Sequence, residues 1–116
     1  MNNARVAVIG LGYVGLPLSL LFAKKYDVIG FDIDKRKIDS LNNKKSYIMD
    51  VSDADINNKR FRASCNEIDI KDCDFKIICV PTPLINDKPD MSFVKSAAEI
   101  ISKGLQKNQI VIIEST

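Results

Sequence analysis

The apolar residues of this chain fall in short runs, and the period inside the runs alternates. Arg5 to Ile9 is a β-branched apolar run that ends at Gly10, which predicts a buried parallel strand. From Tyr13 to Lys25 the pattern turns helical, with Leu16, Leu20 and Ala23 on one face and Lys24 and Lys25 in the last turn. Pro17 has to fall near the start of that helix, because deeper inside it would delete a backbone hydrogen bond. Val28 to Asp32 reads as a second strand ending in an acid, and Lys35 to Asn43 as a more polar helix with Ile38 and Leu41 turned inward. Residues 44–59 show little period and predict a long excursion, with a helical turn near Asp53 to Asn57. Phe61 to Cys65 and Phe75 to Val80 are the third and fourth strands, and the three-proline stretch Pro81 to Met91 is a loop. Ser92 is placed to N-cap a helix reaching about Lys103, with Val94, Ala97, Ala98 and Ile101 as its buried stripe, Gly104 at the C-cap and Leu105 beyond it. Gln109 to Glu114 is the fifth strand.

Strands alternating with helices call for an α/β fold: a Rossmann-type doubly wound, mostly parallel sheet with helices on both faces and right-handed crossovers. No repeat, low-complexity tract or linker divides the sequence, and 116 residues suffice for one domain, 1–116. Val6 to Ala23 is apolar except for Ser19, which resembles a signal peptide or a short membrane span. Its three glycines, Pro17 and the change of period fit a strand running into a buried helix better, so no membrane association is expected.

Composition narrows the chemistry. At 46% hydrophobic and 28% charged residues the chain is globular, and a net charge of +2 argues against nucleic acid as a partner. The absence of histidine excludes histidine acid–base catalysis and histidine-ligated metal in this chain. Cys65, Cys73 and Cys79 match neither a zinc pattern nor a redox pair, so no metal site is expected. They read as reduced thiols of a cytoplasmic protein, with Cys79 a small buried side chain in a strand.

The candidate site is Gly10-Leu11-Gly12-Tyr13-Val14-Gly15, which follows a strand and opens a helix. Gly10 would permit the tight turn, Gly12 the close approach of backbone to a pyrophosphate, and Gly15 close packing of helix on strand. The anion would sit at the helix N-terminus, among free N–H groups and the positive end of the dipole. Asp32, about 20 residues on at the end of the next strand, can accept hydrogen bonds from the adenosine ribose diol and repel a 2′-phosphate. Lys35-Arg36-Lys37 just beyond it could attract that phosphate, but the acid stands at the position that reads the ribose, so NAD is expected over NADP. Ordinary turn glycines are the plain alternative, and the strand, helix and acid in register weigh against it.

Gly10 to Pro17, Phe31-Asp32-Ile33-Asp34, Val80-Pro81-Thr82-Pro83 and Glu114-Ser115-Thr116, in that order, resemble the amino-terminal domain of the UDP-glucose/GDP-mannose dehydrogenase family. Pro89-Asp90-Met91-Ser92 after the Pro-Thr-Pro motif favours its UDP-N-acetylhexosamine 6-dehydrogenase branch, from bacterial surface-polysaccharide synthesis. The resemblance implies oxidation of a nucleotide-sugar C6 alcohol to a carboxylate by two hydride transfers to NAD, in an enzyme that is a homodimer at full length. It implies that Gly10, Gly12, Tyr13, Val14 and Gly15 line the pyrophosphate, that Asp32 holds the ribose with Lys37 as a helper, and that Pro81, Thr82 and Thr116 lie near the nicotinamide half. The threonine matching Thr116 also helps to position a catalytic water in the family. Thr82 and Thr116 each follow a predicted strand, at the end where such sheets bind ligands; a local turn or cap hydrogen bond is the plain alternative for both.

The resemblance also marks what is missing. The family's nucleophilic cysteine, catalytic lysine, sugar site and dimerising helix lie in later domains, and none of the three cysteines here matches the nucleophile's motif. Lys45 stands near a position where the family often has glycine. The chain is therefore expected to be a piece of a longer dehydrogenase, to bind NAD without turnover, and to expose apolar surface near its last strand. A free-standing NAD-binding module and another Rossmann dehydrogenase of the 3-hydroxyacid type remain as alternatives.

Overall fold

The computed structural model describes residues 3–114. Five parallel strands form one sheet: β1 (Arg5–Ile9), β2 (Asp27–Phe31), β3 (Phe61–Ser64), β4 (Phe75–Ile78) and, after a small hairpin β5 (Leu84–Ile85) and β6 (Lys88–Pro89), β7 (Ile110–Ile113). Their order across the sheet is β3-β2-β1-β4-β7. The chain thus winds outward from β1 to one edge, returns to β4 beside β1, and winds to the other edge, which is the doubly wound order. Val8 pairs with Gly30 on one side and Ile77 on the other, which places β1 at the centre.

Side-chain alternation along β1 builds two cores. Val6 and Val8 face α1 (Gly15–Phe22), α2 (Lys35–Asn42) and the 44–59 segment, and join Leu16, Ile38, Leu41 and Ile56. Ala7 and Ile9 face the opposite way and meet Phe31, Ile78, Ala97 and Ile101, beneath a 3-10 turn (Glu67–Ile70) and α4 (Ser92–Ser102). Both faces of the sheet are covered at its central strands, as their mostly apolar sequences require. The expected fold class is the observed one.

Four details differ from expectation. α1 is shorter, since Lys24 and Lys25 lie in the turn after it and not in its last turn. Ser19, the polar interruption of the apolar run, is fully buried and donates its hydroxyl to the Gly15 carbonyl at 2.7 Å, so the helix satisfies it internally. Ser92 does not cap α4: it is the first helical residue, and Asp90 Oδ1 accepts its N–H at 3.0 Å. Ala98 is exposed, because α4 turns the Val94, Ala97 and Ile101 stripe to the sheet and leaves its neighbour outside. The Pro81–Met91 loop contains the hairpin, whose turn residues Asn86 and Asp87 have φ of 52° and 63°. Asparagine and aspartate tolerate that left-handed conformation, and a two-residue hairpin turn needs it.

The 44–59 excursion is ordered by its own polar side chains. Its single helical turn, α3 (Asp53–Ile56), is held by a capping box in which Ser52 Oγ accepts the Asp55 N–H at 3.1 Å and Asp55 Oδ2 accepts the Ser52 N–H at 3.0 Å. β7 is the reverse case: all four of its residues are exposed, at 40–58%, on an edge that no described residue covers. No described helix is long and apolar enough to cross a membrane.

Ser52→Ala should lower stability by about 1 kcal/mol in urea melts. The hydrogen bond from the Ser52 backbone holds the Asp55 carboxyl below its ordinary value of 3.8. A depressed folded value means that this stabilisation is complete above the unfolded value and is lost as the pH falls through the folded one. Asp55→Ala should therefore be less stable than the parent chain at neutral pH and equal to it in strong acid.

Candidate dinucleotide site

A cleft of about 700 Å³ opens at the carboxyl ends of β1, β2 and β4. Its walls are the glycine loop, the Phe31–Asp34 segment, Cys79-Val80-Pro81 and one side of α4. It straddles β1 and β4, where the strand order reverses and where such sheets bind ligands.

The three glycines have three different reasons. Gly10 has φ +102°, and a Cβ there would meet the Cys79 carbonyl at 2.9 Å, so the turn is wedged against the end of β4. A Cβ on Gly15 would sit 1.7 Å from the Gly10 carbonyl oxygen, which makes glycine the only residue that lets α1 start so close to β1. A Cβ on Gly12 would meet nothing within 4 Å. The protein itself does not need glycine there, and the free space faces the cleft, where a ligand would need it. The N–H groups of Gly12, Tyr13 and Val14 have no acceptor among the described residues, and no side chain caps α1. Uncapped donors at a helix start, open to a cleft, suit an anion.

Asp32 is buried, and its carboxylate is partly committed. Oδ2 accepts the Leu11 N–H at 2.9 Å and lies 3.7 Å from Lys37 Nζ, while Oδ1 accepts the Asp34 N–H at 2.9 Å. A carboxylate has about four acceptor positions, so capacity remains for a ribose hydroxyl. Asp34 caps α2 through the Arg36 N–H at 3.0 Å, and the Arg36 side chain holds its carboxyl below the usual carboxylate range.

The cleft gathers Gly10, Gly12, Tyr13, Val14, Asp32, Lys37 and Pro81 from among the residues expected there. Gly15 lies beneath the loop and Thr82 lies outside the cleft wall. Thr116 lies outside the described residues. The apolar wall that Ile33, Val80, Phe93, Ala97 and Ile100 supply was missed by the sequence reading. The α4 part of it was findable, because Phe93, Ala97 and Ile100 stand three and four residues apart on one side of the helix.

Cys79 borders the cleft without being a nucleophile there. Burial, with Glu114 adding, pushes its thiol up to about 11, so it stays protonated at neutral pH. Burial likewise raises Cys73 to about 11. No described group of acids and cysteines is arranged to hold a metal ion.

Strand order, glycine loop and the buried acid that follows β2 together define a dinucleotide-binding domain. Residues 4–116 match the UDP-glucose/GDP-mannose dehydrogenase family, NAD binding domain. The protein CapL of Staphylococcus aureus is 40% identical over 98% of this chain and 27% of its own length. The UDP-N-acetyl-D-glucosamine 6-dehydrogenase of Salmonella typhi is 38% identical over 100% of this chain and 28% of its own. The solved UDP-D-ManNAc dehydrogenase of Pyrococcus horikoshii superimposes with a TM-score of 0.92 at 36% identity, over 97% of this chain and 28% of that one. The chain belongs to this family, as its NAD-binding domain, and spans little more than a quarter of the length of these relatives.

A thiol reagent at mildly alkaline pH should consume one cysteine quickly, the exposed Cys65, and the buried Cys73 and Cys79 only after denaturant is added. Rapid reaction of Cys79 in the folded chain would contradict its burial.

Proposed function

We propose that this chain supplies the cofactor site of a nucleotide-sugar 6-dehydrogenase acting on a UDP-N-acetylhexosamine, and that by itself it binds NAD without turnover. When bound, NAD would supply the hydride acceptor for C6 of the sugar, and two NAD molecules in succession, with one water, would be needed to take the alcohol to the carboxylate. The chain's own residues bind and orient it. The N–H groups at the start of α1 take the pyrophosphate, Asp32 takes the adenosine ribose and disfavours a 2′-phosphate, and Ile33, Val80 and Ile100 offer apolar walls beside it. Pro81, Thr82 and Thr116 belong to the nicotinamide half on the strength of the family motifs, with Thr116 placing a water. The relatives named UDP-N-acetyl-D-glucosamine 6-dehydrogenase and UDP-N-acetyl-D-mannosamine dehydrogenase support the substrate class, and a role in surface-polysaccharide synthesis in the cytoplasm is part of the proposal on the strength of the family resemblance.

The single observation that carries the reading is Gly12, a glycine for which the folded chain has no use and a pyrophosphate does. Gly12→Ala should therefore leave thermal stability unchanged or slightly raised, while NAD affinity by calorimetry falls about tenfold or more, because the added Cβ holds the pyrophosphate off loop N–H groups whose charge-assisted hydrogen bonds are worth about 1.5–3 kcal/mol each. Gly10→Ala, by contrast, should cost about 1–3 kcal/mol of stability, since alanine is strained at its backbone angle. Unaltered NAD binding by a folded Gly12→Ala chain would refute the assignment. Asp32→Ala should weaken NAD, narrow its preference over NADP, and also lower stability by freeing the Leu11 N–H. NAD and UDP-N-acetylglucosamine added to this chain should yield no NADH.

A further inference from the structure

Tyr47, from the poorly patterned 44–59 segment, reaches the glycine loop. Its hydroxyl donates to the Leu11 carbonyl at 2.6 Å, across 36 residues of sequence. The N–H of the same Leu11 is held by Asp32 at 2.9 Å. Leu11 is thus fixed at both of its backbone polar groups, immediately before Gly12. The Tyr47 ring also carries Lys37 Nζ at 5.9 Å from its centre, and that ammonium lies 3.7 Å from Asp32 Oδ2. A cation over an aromatic face is attracted to it, more strongly where water is partly excluded.

Resting on the NAD reading of the cleft, we propose that Tyr47 is a positioning and specificity residue: its hydroxyl sets the glycine loop at Leu11, and its ring keeps Lys37 folded onto Asp32 and away from a 2′-phosphate. Both parts follow from geometry. The loop must present its N–H groups to a pyrophosphate at hydrogen-bond distance, and a carbonyl anchored on the far side of the peptide limits its rotation. Lys37 is the residue of the Lys35-Arg36-Lys37 run that lines the cleft, so its placement decides whether that run welcomes NADP. With its charge shared between Asp32 and the ring, it neutralises part of the acid without offering a free cation to a phosphate. Burial raises the Tyr47 hydroxyl above its ordinary value, which keeps it protonated and able to donate.

Two variants separate hydroxyl from ring. Tyr47→Phe keeps the ring under Lys37 and loses only the donor. In the ligand-free chain, the Leu11 amide, held by Asp32, should exchange hydrogen faster than in the parent. NAD should bind about two- to tenfold more weakly, the worth of one hydrogen bond, with the ratio of NAD to NADP affinity unchanged. Tyr47→Leu should show the same weakening and in addition a fall in that ratio, which Tyr47→Leu with Lys37→Gln should restore. Loss of packing alone would weaken both nucleotides equally and would not be reversed by removing Lys37. Parental exchange and NAD affinity in Tyr47→Phe, or an unchanged ratio in Tyr47→Leu, would overturn the proposal. A parent chain that binds neither nucleotide would refute the cofactor reading instead, and the exchange arm would still decide the loop contact.

Discussion

The contact between Gly15 and the Gly10 carbonyl governs the distance between α1 and the sheet, and much else depends on that distance. A side chain at Gly15 would occupy the position of the Gly10 oxygen, and one at Gly10 would press into the backbone at the end of β4. Without both glycines α1 would stand off from β1 by at least the depth of a methyl group. Leu16 could then no longer fill the core beside Val8 and Leu11, all three of which are fully buried. The same closeness points the start of α1 into the cleft. Packing and binding geometry are set here by one steric constraint.

Asp32 shows how structural and ligand-facing work can share one side chain. It ties Leu11 and the start of the Asp34 turn together, and so joins the loops that follow β1 and β2. A carboxylate so held is already oriented, which spares the ordering cost that a mobile acid would carry on meeting any hydrogen-bond donor. Its burial is tolerable because two backbone N–H groups and Lys37 surround it. Asp34, two residues further, is the half-buried counterpart: it caps α2 and pairs with the Arg36 side chain at 3.3 Å.

The strands and the glycine loop were legible because their causes are local. Arg5–Ile9 and Phe75–Ile78 announce themselves by mostly β-branched or apolar residues, and Gly10 by its place at a strand end. What was not legible depends on contacts distant in sequence. Tyr47 lies in a segment without period, and nothing near it signals a partner 36 residues earlier. Lys76 is another case. It interrupts an apolar strand, yet it is buried, with Nζ donating to the Lys71 carbonyl at 3.1 Å and to Gln109 Oε1 at 2.8 Å. Gln109 enters β7, so this ammonium helps to fix the edge strand, and burial lowers its proton affinity. Ser92 failed as a cap for a subtler reason: Asp90, two residues earlier, accepts the Ser92 N–H, and the helix begins at Ser92 itself, one position earlier than the serine rule places it.

The chemistry of the cleft is narrow. The chain has no histidine, and the thiol bordering the cleft is held protonated by burial. What the cleft does offer is uncapped N–H donors, one oriented acid and an apolar wall, which are instruments of binding and orientation. Such a site gains by rigidity, and its parts are accordingly pinned from several sides: Gly10 by Phe31 at 2.8 Å, Leu11 by Asp32 and Tyr47, and Gly15 by the carbonyl it touches. Gly12 is the exception at the centre of that rigid frame. No described residue crowds it, so the one glycine of the loop that packing does not require is the one that faces the open cleft.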